Sequence, residues 1–228
     1  SSYDYDDYEE DFWWFSTLCI EIFPNFVKTK LPNITMGKRE TLKVDFFRDR
    51  ELIATLTKGS DRDAAILAGT ILEELLCRLL QKRFVQGNVF NNAIESSNAS
   101  LSTFSNKIQI SYLLGIISKR MYDDLNRIRK IRNIFAHNIR GCSFDDKNIQ
   151  SIVNTLTYAD LPLFSEWLPA ASFKDKFLMH CTIIEIAIVK KIVRFDSILE
   201  CEDETNNIGF EEVDWKYLSS EVEDQHKE

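Results

Sequence analysis

Glycine and proline are scarce in this chain, at seven and four residues out of 228. A fold of many short strands needs more turn formers than that, so long helices are expected. Cysteine is sparse too. Cys19, Cys77, Cys142, Cys181 and Cys201 are odd in number, widely spaced and include no C-x-x-C pair. That excludes a disulfide framework and fits small thiols in a reducing cytoplasm. No apolar run is long enough to span a bilayer, and no charged-then-apolar secretory start is present, so a cytoplasmic protein with no membrane partner is expected. On that basis Asn33-Ile34-Thr35 and Asn98-Ala99-Ser100 read as chance matches to a glycosylation tripeptide. No histidine–carboxylate set has metal-ligand spacing, and neither a glycine-rich phosphate loop nor a G-x-S-x-G turn occurs. No metal site and no cofactor are therefore expected.

What is abundant is apolar and aromatic. Hydrophobic residues make up 44% of the chain, and 16 Phe with 4 Trp point to an aromatic-rich core. The formal charge of −8 is unevenly spread. Asp4, Asp6, Asp7, Glu9, Glu10 and Asp11 open the chain, and eleven acids face only Lys216 and Lys227 from Glu200 onward. The stretch between these ends holds 26 basic and 19 acidic residues, a balance of +7. A basic body with acidic ends suits RNA binding restrained by self-shielding tails; acidic ends that only aid solubility explain the same pattern.

Periodicity divides the chain into four parts and predicts an all-α protein. Residues 1–44 combine the acidic start with an aromatic helical extension through Phe12, Trp13, Phe15, Leu18, Ile22 and Phe26. Residues 45–158 form the main helical domain: a helix from about Asp45 to Lys58, then the clearest amphipathic helix, from Ser60 to Phe84. Ser60 with Asp63 makes a capping-box-like start there, and Ala64, Ala65, Ala68 and Gly69 permit close helix approach. Gly87 to Ser102 reads as a polar loop. Helices follow from Phe104 to Ile116, from Lys119 to about Asn138 with Met121, Leu125, Ile128 and Phe135 inward, and from about Lys147 to Leu156. Residues 159–199 hold a C-terminal helix from about Ser172 that packs on the bundle, its β-branched run leaving a strand as the alternative. Residues 200–228 are an acidic, flexible tail.

The chemistry concentrates in Arg132-Asn133-Ile134-Phe135-Ala136-His137, where four residues separate an arginine from a histidine near a helix end. A guanidinium fork matches phosphate oxygens, and an imidazole can take or return the proton of a ribose 2′-hydroxyl. Positions five apart diverge by roughly 140° on an ideal helix, so Arg132 and His137 share a cleft only if the last turn loosens. Asn133 and His137, four apart, lie on one side. Two copies facing across a dimer would supply both an acid and a base. Asn126, Arg129 and Lys130, with Tyr122, would extend a phosphate-contacting face along the preceding turns. The structural alternative pairs Arg132 with a carboxylate such as Asp123 or Asp124 and makes His137 a helix C-cap. His180, on the apolar last helix beside Cys181, reads as a satisfied core histidine, and His226 lies in the acidic tail.

Arg132 through His137, preceded by Leu125-Asn126-Arg127-Ile128-Arg129-Lys130-Ile131, resembles the R-x(4–6)-H motif of the HEPN superfamily. That likeness implies an all-helical homodimer cutting single-stranded RNA without metal, as a toxin or defence component with a cognate antitoxin. In that role Arg132 holds the phosphate, His137 is acid or base, and Asn133 orients the histidine or contacts RNA. A longer series of blocks resembles the MltR family, the mannitol operon repressor-like proteins. It runs through Ser60-Asp61-Arg62-Asp63-Ala64-Ala65-Ile66-Leu67, Leu72-Glu73-Glu74-Leu75-Leu76, Phe104-Ser105-Asn106-Lys107-Ile108, Leu113 to Ser118, Ile128 to His137 and Ser143-Phe144-Asp145-Asp146. The likeness covers about Arg48 to Leu156, and Asp63 stands where that family has glycine after Asp-Arg. It implies a helical regulator or protein-interaction scaffold without catalysis, although no helix-turn-helix is evident. The fold implied by both is a helical bundle extended at its two ends.

Overall fold

The computed structural model of the chain describes residues 55–95, 99–138, 141–165 and 168–198. The aromatic extension, most of the helix expected from Asp45 and the acidic tail from Glu200 lie outside the described residues. Among the described residues all regular structure is helical, as expected. The β-branched run of the last helix forms no strand, because its isoleucines face a core that holds them on a helix.

After the last helical turn at 55–58, the chain enters α1 (Asp61–Gln81). Ser60 caps α1: its hydroxyl accepts the Asp63 N–H at 3.1 Å and donates to the Asp63 carboxylate at 2.6 Å. Asp63 thus gives its N–H to the cap hydroxyl and accepts that hydroxyl's hydrogen bond in return. Leu72, Leu75, Leu76 and Leu79 are fully buried on the opposite face.

A short helix, α2 (Asn88–Glu95), occupies the stretch read from sequence as a loop. Asn-rich composition argues against helix, but Phe90, Ala93 and Ile94 lie on one side, and all three pack on the core. Burial of that small apolar face outweighs local propensity.

Thr103 caps α3 (Phe104–Leu113), which ends before Ile116 in a Schellman turn. The Ile116 N–H reaches Ser111 O, the Gly115 N–H reaches Tyr112 O, and Gly115 takes the positive φ of +68° the turn requires. Ser118 then caps α4 (Lys119–His137), whose expected inward residues Met121, Leu125, Ile128 and Phe135 are all fully buried. A seven-residue helix α5 (Lys147–Val153) and two 3-10 turns (Pro162–Phe164 and Leu168–Ala170) lead to α6 (Phe173–Arg194).

Helix α1 is central, packed on α3, α4 and α6. Phe144 stacks on Phe135 of α4 at 4.9 Å and on Phe177 of α6 at 5.1 Å, joining two helices through one loop ring. The beginning of α1 ties this end together. Asp61 accepts the Ser143 hydroxyl at 2.9 Å and the Phe144 N–H at 3.0 Å, with Lys174 Nζ 3.8 Å from its other oxygen. Arg62 donates to Ala136 O at 3.2 Å and Asn138 O at 3.5 Å. Blocks scattered in sequence, 60–63, 128–137 and 143–146, therefore meet at one end of the bundle.

Candidate nucleic-acid interface

The inward face of α4 is fixed by Met121, Leu125, Ile128, Ile131 and Phe135, so helical geometry dictates what points out. Tyr122, Asn126, Arg129, Lys130, Asn133 and His137 fall within about 100° of arc on the opposite side. An open groove of about 590 Å³ lies along the middle of this stripe, lined among the described residues by Asn126, Arg127, Arg129, Lys130, Asn133 and Ile134. Four residues singled out in the sequence, Asn126, Arg129, Lys130 and Asn133, are thus brought together.

The groove's polar groups divide by what already holds them. Arg127 is engaged, 2.7 Å from buried Asp124. Among the described residues Arg129 bonds the Asn126 amide oxygen, at 3.4 Å, and its buried Nε has no partner. Lys130 is exposed and has no carboxylate partner among the described residues. Asn133 accepts Arg132 at 3.3 Å through its amide oxygen, which leaves its amide NH₂ for the groove.

Arg132 and His137 do not line this groove. The helix stays regular to His137, where the Asn138 N–H still bonds Ile134 O at 3.1 Å, so the last turn does not loosen. Arg132 turns toward α1, and its stem crosses Gly69: a Cβ there would sit 2.8 Å from Arg132 Cγ. Its guanidinium lies 4.0 Å from Glu73 of α1, which also takes Lys107 of α3 at 2.9 Å. His137 is exposed at the helix end, one turn beyond Asn133 on the groove side.

The structural alternative keeps a carboxylate beside Arg132 but not the one expected, and it loses the His137 cap. The carboxylate beside Arg132 is Glu73, because Asp123 is paired with Lys119 and Asp124 is buried among Arg127 and two backbone N–H groups. The terminal carbonyls of α4 are bonded by Arg62, not His137. His180 is the core histidine expected: it is buried, its Nδ1 accepts the Ala159 N–H at 2.9 Å, and burial lowers its pKa to about 4. Sequence reasoning missed Arg62 and Glu73 as neighbours of the motif. Both stand in α1, and only the α1–α4 packing brings them near.

The profile of the mannitol repressor family, MtlR, matches residues 51–208. That span runs past Leu156, where the likeness read from the sequence stopped, and takes in α6. No curated protein matches the chain. Among solved structures, it is similar to a possible transcriptional regulator, YggD, from Shigella flexneri 2a str. 2457T. The two share 15% identity at a TM-score of 0.48, over 69% of this chain and 99% of that one.

Proposed function

The chain belongs to the mannitol repressor family (MtlR), and from that premise we propose a regulatory protein that holds single-stranded RNA along the outward face of α4. One observation carries the reading: Arg129 and Lys130, without carboxylate partners among the described residues, share an open groove with the amides of Asn126 and Asn133. The cations answer phosphates, and the amides suit sugar hydroxyls and base edges. Binding is tested by fluorescence anisotropy with a single-stranded RNA. Arg129→Ala/Lys130→Ala is expected to lose tenfold or more in affinity, with Lys147→Ala on α5 as the charge control. Equal affinity in the double variant would refute the groove.

A second reading is metal-independent cleavage of that RNA by a homodimer, with Arg132, Asn133 and His137 as its catalytic set. It is supported by His137 being exposed on the groove side and by Arg132 bonding Asn133 at the groove edge. Since Arg132 and His137 diverge within one chain, a second copy would have to complete the set. Cleavage in EDTA that disappears in His137→Ala, at equal helicity, would establish this reading; RNA bound but left intact leaves the regulator.

A further inference from the structure

We propose that Tyr112, backed by Tyr122, is a stacking shelf for a base of the single-stranded RNA held in the α4 groove. The proposal rests on the RNA reading above and adds to it a contact with the base. Tyr112, in the last turn of α3, is 37% exposed, next to Leu113 at 69% and Leu114 at 44%. These three consecutive exposed residues at the end of α3 lie outside the core. The ring does not swing freely. The Schellman turn at Gly115 fixes the last turn of α3, and the Tyr122 ring lies 4.8 Å away, tilted by 38°. Tyr122 is itself packed against the core, and Lys119 Nζ sits 5.4 Å from its centroid, so Tyr112 presents the open face.

Position sets the shelf in line with the groove. Tyr122 stands one helical turn before Asn126 on the same stripe, and its backbone oxygen accepts the Asn126 amide at 3.0 Å. About 12 Å of helix separates Tyr122 from Lys130. Along it a strand would meet an aromatic face, then an amide, then cations. Phosphates on cations with a base on an aromatic ring is the way proteins hold single strands without reading their sequence. A protein partner would suit the apolar triplet alone, but not its continuation into Arg129 and Lys130.

The test measures full-length chain binding to a short oligoadenylate and to the same strand carrying abasic sites, across a salt series. Tyr112→Ala is expected to weaken oligoadenylate binding about tenfold. Tyr112→Trp should retain affinity, neither variant should change the salt slope, and the abasic strand should not distinguish Tyr112→Ala from wild type. Wild-type affinity in Tyr112→Ala, with loss in Arg129→Ala/Lys130→Ala, would overturn the shelf and leave the groove standing. No binding by the wild type would overturn both. Unchanged RNA affinity with lost self-association in Tyr112→Ala would make the triplet a protein contact and overturn the proposal.

Discussion

The two halves of α4 use the same kinds of residue to opposite ends. In the first half each charge has a partner on the chain itself. Lys119 pairs with Asp123, Arg127 with Asp124, and Arg120 bonds the Thr157 hydroxyl at 3.3 Å. Asp124 is fully buried and anchors the 157–158 turn through N–H bonds of 2.8 and 2.7 Å. In the second half Arg129, Lys130 and His137 face outward with no carboxylate partner among the described residues, while Arg132 alone turns inward to Glu73. A charge that holds structure is identified by its partner, and a charge open to a ligand by the lack of one.

The contrast is sharpened first where the effect is largest. Asp124→Ala removes the fully buried acceptor for Arg127 and for two partly buried N–H groups, and should cost about 3–5 kcal/mol in chemical denaturation. A loss under 1 kcal/mol would mean that the first half is not structural in this sense.

The buried wall of α6 gives a pH signature. Glu185 is buried, and desolvation raises its pKa to about 8. The unfolded chain releases this proton near pH 4.5 and the folded one near pH 8, so stability should fall as pH rises between them. From pH 6.5 to 8.5 the loss is about 2 kcal/mol, and Glu185→Gln should flatten it. His180, whose pKa falls from 6.5 to about 4 on burial, works in the opposite direction and returns only about 0.4 kcal/mol at the lower edge of that window. An equal slope in the variant would reject the assignment.

Gly69→Ala should destabilise by about 1 kcal/mol, since crowding Arg132 Cγ at 2.8 Å outweighs the gain in helix propensity. A stabilised variant would show that the α1–α4 contact yields easily. The smallest effect is expected at Lys130→Ala, within about 0.5 kcal/mol of wild type in the same denaturation series. A larger loss would move Lys130 into the structural class and break the comparison.

Local pattern made much of this readable from sequence. Helical spacing located α1, α4 and α6, and the apolar stripe of α4 fixed which side chains turn outward. The cluster of Asn126, Arg129, Lys130 and Asn133 follows from that stripe alone. Three things were not legible. Helix α2 hid behind asparagines because only tertiary burial of Phe90, Ala93 and Ile94 favours it. Glu73 beside Arg132 and Arg62 at the end of α4 depend on how α1 crosses α4, which no local periodicity encodes. The direction of Arg132 was half legible, since the wheel set it apart from His137 but not toward Gly69.

The central claim is that the outer face of α4 neutralises phosphates. Its most direct test is the dependence of RNA affinity on salt, for the wild type and for Arg129→Ala/Lys130→Ala. Each lost contact should reduce the slope of log K against log salt by about 0.7, so the double variant should fall short of wild type by about 1.4. Parallel slopes would contradict the claim.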